Sequence, residues 1–230
     1  MIYMFTRALT QKEQEILLRI QEFVRRNHAK SDSHDYSHVF MVTRTAIQIS
    51  KNIDDPIDPF IVIAGSLLHD IGKTTNDFAG FHGLFGGSIA EEFLEGLEIE
   101  KSLSERICRV VVRHTPTSSI PPVTPEEKVV YDADTLDRLG LMGLLRGFIG
   151  KEGSMQEILE KYMTSRQLDY EKLNYEYSRE LGMMGAQELE GFSHVIQKRL
   201  DDRMSSIEDI FEKEGLIDKK TKKNRRSKKK

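Results

Sequence analysis

The amino-acid sequence predicts an all-α protein, a bundle of amphipathic helices. Three observations predict it. Apolar residues recur at helical spacing in segment after segment, helix-capping residues stand where those segments begin, and no two alternating runs flank a hairpin turn.

In chain order, "TQKEQEILLRIQEFVRRNHA" opens with a capping box, Thr10 to Glu13, and sets Ile16, Leu17, Ile20, Phe23 and Val24 on one face. "SHVFMVTRTAIQISKN" repeats the pattern with Val39, Val42, Ala46 and Ile49. "DPFIVIAGSLLHDIG" has Asp58 as cap, Pro59 as first helical residue and Gly72 as stop. Its run Phe60 to Ile63 suits a strand by propensity, but the start and stop signals and the length make it a buried helix. "FHGLFGGSIAEEFLEGL" and "EKSLSERICRVVVRH" are two more helices, and the Pro/Ser/Thr-rich residues 115–125 form a loop. That loop ends in another cap, Thr124-Pro125 with Glu127 at the third position, ahead of "EEKVVYDADTLDRLG". Charged helices then run through "LEGFSHVIQKRLDDRMSSIEDIFEKEG". No charged linker interrupts the helices, so residues 1–218 read as one domain, with a first part up to about residue 150 and a more polar helical extension over 151–218.

The 230 residues suffice for a substantial core, and 38% apolar with 31% charged residues is ordinary for a globular chain. No run approaches the roughly eighteen apolar residues of a membrane span. The N-terminal "MIYMFTRALTQKEQ" has no basic start followed by an apolar stretch, so the expected setting is the cytoplasm, with no membrane partner. Cys108 is the single cysteine, which excludes an internal disulfide and a multi-thiolate metal site. Within "RICRVVV" it reads as a packed helix face and not as a nucleophile. The net charge of -3 hides an asymmetry. Residues 219–230, "KKTKKNRRSKKK", hold nine of the 34 basic residues and no acid, leaving 25 basic against 37 acidic groups in the body, a net of -12. A block of that kind reads as a disordered, solvated tail that can touch nucleic acid electrostatically; the acidic body does not look like a nucleic-acid surface.

The polar residues that can carry chemistry stand at helix ends: His34, Asp35 and His38, then His69 and Asp70, His82, His114, and Asp132, Asp134 and Asp137. Histidine and carboxylates bind divalent metals through nitrogen and oxygen, provided the fold gathers them. His34-Asp35-x-x-His38 is one methylene away from the H-E-x-x-H pattern of zinc proteases, but that pattern needs mid-helix histidines, and here the apolar helical run starts only at Val39. In "AGSLLHDIGK" an apolar helix delivers His69 and Asp70 to its last turn, where adjacent side chains about 100° apart can serve two ions.

Taken together, "HDYSH", "LLHDIGK" and "DADTLD" resemble the HD superfamily of metal-dependent phosphohydrolases, whose pattern is H…HD…D, and within it a group of small hydrolases with H-D-x-x-H and Y-D-A-D motifs. The resemblance covers roughly residues 28–150 and implies an all-α HD-domain bundle. It implies that His38, His69, Asp70 and Asp134 ligate a divalent metal, with Asp70 bridging to a second ion held by His82 and His114. Lys73 matches a basic residue that in some members contacts substrate phosphate or the attacking water. His34, Arg113 and Arg138 are further candidate phosphate contacts. Mixed histidine and carboxylate ligands favour Mn, Fe, Co, Ni or Zn over calcium.

The chemistry follows from charge. An acidic body repels a phosphate ester unless one or two ions supply local positive charge and lower the pKa of a bound water. Asp70 would orient or deprotonate that water and Lys73 would offset phosphate charge. The expected activity is hydrolysis of a phosphate ester or phosphoanhydride in a nucleotide or another small phosphorylated metabolite. The competing class is a nucleic-acid-associated HD protein, either a nuclease or a module tethered to RNA by residues 219–230.

Overall fold

The computed structural model of the chain describes residues 5–28, 36–74, 81–116, 120–149, 151–203 and 206–216. The basic tail, His34 and Asp35 lie outside the described residues. Among those described there are helices and no strands: α1 (Gln11–His28), α2 (Tyr36–Ser50), α3 (Pro59–Leu68), a 3-10 turn (Ile71–Thr74), α4 (His82–Glu95), α5 (Lys101–Arg113), α6 (Pro125–Leu139), α7 (Leu141–Phe148), α8 (Met155–Glu171), α9 (Glu176–Asp201) and α10 (Ile207–Lys213). None is long and apolar enough to cross a membrane.

The starts of α1, α3 and α6 are set by local capping groups. Thr10 Oγ1 accepts the Glu13 amide at 3.2 Å while Glu13 Oε2 accepts the Thr10 amide at 2.8 Å, closing both halves of a capping box. Arg7 joins this start to that of α3, bonding Glu13 at 2.6 Å and Asp58 at 3.0 Å. Asp58 in turn accepts the amide of Phe60 at 2.9 Å, with Pro59 pre-set in the first helical position. Thr124, Pro125 and Glu127 start α6 the same way.

Contacts divide the chain into two compact units, Met1–Leu189 and Glu190–Lys230. The second holds the last part of α9 and α10, and none of its described residues is fully buried. In the first, α3 is the central element: it packs against α1, α2, α5 and α6, and every residue in it except Ile63 is buried. Around it close Ile20 and Val24 of α1, Val39, Val42, Ala46 and Ile49 of α2, Ile107 and Val111 of α5, and Val129 and Val130 of α6. Each buried aliphatic side chain of this kind contributes about 1.5–3 kcal/mol relative to exposure. Phe23 stays half-buried and stacks on Phe93 of α4 at 3.9 Å between ring centres.

The end of α3 departs from the sequence expectation. The helix stops at Leu68, His69 is its C-cap, and the chain tightens into the 3-10 turn, so His69 and Asp70 leave the helix before Gly72. The cause is tertiary. The turn packs against the first turn of α4 so closely that a Cβ on Gly72 would lie 2.0 Å from the backbone oxygen of His82. A Cβ on Gly83 of α4 would likewise lie 2.8 Å from Val112 O of α5. Two hydrogen-only side chains thus let three backbones converge where α3 ends.

Candidate metal centre

Five segments bring their polar residues to that convergence. His38 stands in the first turn of α2, His69 and Asp70 follow α3, His82 opens α4, His114 caps the end of α5, and Asp134 lies mid-way along α6. All six are buried, His69, Asp70 and His114 completely. Burying this many ionisable groups is costly unless each meets a partner or a cation.

The geometry forms two groups that share a wall. Ligand atoms of His38, His69 and Asp134 lie within 4.8 Å of one another, and so do those of Asp70, His82 and His114. Asp70 sits between them. Its Oδ2 is 3.4 Å from His38 Nε2 and 3.6 Å from His69 Nε2, while its Oδ1 is 3.2 Å from His114 Nε2 and 3.9 Å from His82 Nε2. Asp134 Oδ1 approaches His38 Nε2 at 3.4 Å and His69 Nε2 at 3.9 Å.

The far nitrogens fix the rings. His69 Nδ1 donates to Ser66 O at 2.7 Å and His114 Nδ1 donates to Val111 O at 2.6 Å. Since a carbonyl only accepts, those nitrogens carry the hydrogen, and in the neutral ring Nε2 points inward as a bare acceptor. His69 Nε2 therefore lies 3.3 Å from His38 Nε2 and close to two carboxylates. Acceptors turned toward acceptors in a buried space are what a divalent cation with nitrogen and oxygen preferences requires, so the donor set fits the metal.

Electrostatics follow the same lines. Burial pushes the His69 imidazole down to about 3, against the pull of Asp70. Burial also opposes protonation of His38, but the carboxylates of Asp134, Asp137 and Asp70 outweigh it and hold this ring well above its ordinary value. Asp134 is itself held well below the usual carboxylate range, because His38 outweighs its desolvation.

Lys73, in the 3-10 turn, bonds Asp70 Oδ2 at 2.8 Å and stays partly open to solvent. Arg113 donates to Pro121 O at 2.5 Å and lies 3.7 Å from Glu127; Arg138 lies 3.2 Å from Asp169 of α8. Both are thus engaged in ion pairs within the first unit. The two aspartates flanking Asp134 have separate partners. Asp132 accepts the amides of Asn174 and Tyr175, at 2.9 and 3.1 Å, just ahead of α9. Asp137 Oδ2 accepts His38 Nδ1 at 2.7 Å and also pairs with Arg146 of α7. Sequence reasoning did not single out Arg146; the i, i+3 spacing of Asp134 and Asp137 on one helix face was the signal available for Asp137.

Residues 35–139 match the HD domain family. The chain carries an HD domain. All six clustered residues fall inside the matched span. The HD-domain chain is 35% identical over 114 residues to a tRNA (cytidine(56)-2'-O)-methyltransferase of Picrophilus torridus, an alignment covering 43% of this chain and 30% of that protein. The HD-domain chain therefore spans less than a third of the length of this relative. Two solved structures share its architecture. Bacillus subtilis YpgQ in complex with ADP is 22% identical with a TM-score of 0.64, over 81% of this chain and 98% of that one. An HD-superfamily hydrolase of Bacillus thuringiensis is 22% identical with a TM-score of 0.63, over 83% and 100%. The likeness to these two structures is one of fold.

Proposed function

We propose that this protein is a metal-dependent phosphohydrolase that cleaves a phosphate ester or phosphoanhydride of a nucleotide or a similar small phosphorylated metabolite. The observation that carries the reading is the position of Asp70, whose two oxygens face two separate groups of buried ligands while Lys73 rests on one of them. His38, His69, Asp70 and Asp134 would hold one divalent ion, and Asp70, His82 and His114 a second. When bound, such ions supply Lewis acidity and lower the pKa of a coordinated water from about 16 towards about 7. The protein's own part is to keep the rings in the tautomer that Ser66 O and Val111 O impose, to place Asp70 as acceptor for the water proton, and to offer Lys73 as counter-charge to the phosphoryl oxygens. The ADP complex of the Bacillus subtilis neighbour supports nucleotides as the substrate class.

The test is a panel of nucleotides and phosphoesters with added Mn²⁺, comparing the wild type with Asp70→Asn. Products from the wild type alone support the reading, and the species released names the bond. Equal activity in both proteins removes Asp70 from the mechanism and overturns it.

A second reading, favoured by the likeness to a tRNA methyltransferase, is an RNA-associated HD protein tethered by residues 219–230. Tail-driven binding weakens steeply with salt and disappears when those residues are deleted. RNA affinity that survives the deletion rules the tether out.

A further inference from the structure

We propose that Asp137 and Arg146 form a positioning pair that fixes His38 in its ligating orientation. The inference rests on the metal reading above and assigns work to two residues that belong to neither ligand group. Asp134 and Asp137 stand three apart on α6, so both project from one ridge of the helix. His38 lies against that ridge, with Asp134 Oδ1 at 3.4 Å from its Nε2 and Asp137 Oδ2 at 2.7 Å from its Nδ1. One turn of α6 therefore grips both nitrogens of the ring. Asp137 meets Nδ1 of the imidazole, whereas His69 and Asp70 meet Nε2.

A carboxylate behind a ligating imidazole does two things. It holds the ring in one orientation, and by accepting the Nδ1 hydrogen it makes Nε2 a stronger donor to a cation. Asp137 can do this only while it is itself held. Arg146 of α7 binds the Asp137 side chain and also donates to its backbone oxygen at 3.2 Å, so one guanidinium clasps one residue twice. The α6–α7 corner is tight: a Cβ on Gly143 would lie 2.4 Å from Arg138 O, which keeps α7 close enough for Arg146 to reach back. Arg146 also offsets the charge of a second, mostly buried carboxylate within one turn of Asp134.

The test measures Mn²⁺ binding directly, by electron paramagnetic resonance of the free ion during titration of the chelator-stripped full chain, without substrate. Wild type, His38→Ala, Asp137→Asn, Arg146→Ala and Arg146→Lys are compared, with far-UV circular dichroism in chelator checking that each is folded. Asp137→Asn is expected to weaken the affected ion about 10- to 100-fold while keeping the stoichiometry. Arg146→Ala is expected to weaken it less, and Arg146→Lys to recover part of that loss, which a purely structural arginine would not do. Two results overturn the inference: wild-type affinity in both Asp137→Asn and Arg146→Ala, or loss of a whole ion in Asp137→Asn matching His38→Ala, which would make Asp137 a ligand. A wild type that binds no Mn²⁺ fails differently, since it sinks the metal reading before any variant is compared.

Discussion

Replacing Gly72 with alanine perturbs the narrowest point of the fold. The new Cβ would sit 2.0 Å from His82 O, 2.6 Å from Gly86 N and 3.0 Å from Gly86 Cα, where ordinary contact begins at 3.4 Å. All three neighbours are backbone atoms in the first turns of α4, so no side-chain rotation relieves the clash. The start of α4 and the 3-10 turn must part by roughly 1.4 Å. Overpacking of this kind costs about 1–3 kcal/mol. In a chain of this size each kcal/mol lowers Tm by about 2–4 °C, so calorimetry in chelator should show a fall between about 2 and 12 °C. The second effect is selective. His82 rides on the displaced turn, and its Nε2 already stands 3.9 Å from Asp70 Oδ1. His38, His69 and Asp134 stand on α2, at the end of α3 and on α6, outside the displaced turn of α4. Equilibrium dialysis with Mn²⁺ should therefore show the second ion lost and the first retained. A variant with unchanged Tm and two bound ions would refute both the packing argument and the assignment of His82.

Two further substitutions test other joints. Asp132→Ala removes the acceptor for the amides of Asn174 and Tyr175 and for the Asn174 side chain, and should cost about 3 kcal/mol in urea unfolding, with faster amide exchange at residues 174–176; Asp132→Asn, which keeps an acceptor, should cost less. Glu13→Gln addresses pH. The hydrogen bond from Arg7 lowers the Glu13 carboxyl from 4.5 to about 2 against its own desolvation, so folding favours the charged form; the stabilisation is complete above the ordinary carboxylate range and fades as pH falls towards about 2. The gap between wild type and Glu13→Gln should be at most about 1 kcal/mol at neutral pH and close in acid, as thermal melts across pH would record.

The starts of α1, α3 and α6 were legible in the sequence because caps are local: Thr10 with Glu13, Asp58 with Pro59, and Thr124 with Pro125 and Glu127 act within four residues of themselves. The end of α3 was not, because His69 turns back to Ser66 O and Gly72 is pressed against α4, and neither contact follows from spacing. The order of the His and Asp residues suggested a metal centre, but their convergence is a property of packed helices. Arg146 escaped notice because α7 is short and carries no capping signal to mark it. Arg113 and Arg138 illustrate the opposite difficulty: a sequence displays charge without displaying the carboxylate that answers it, here Glu127 and Asp169.

Helix α6 divides three tasks among Asp132, Asp134 and Asp137, which face respectively the turn before α9, the histidines and the back of His38. Because successive residues on a helix advance by about 100°, these duties are geared to one shaft. Inserting or deleting a single residue between Tyr131 and Leu139 would turn part of the shaft and put at least one aspartate out of step with its partner. The helix can tolerate exchanges on its surface but not a change of count, so variation in length has to be absorbed in the loops on either side.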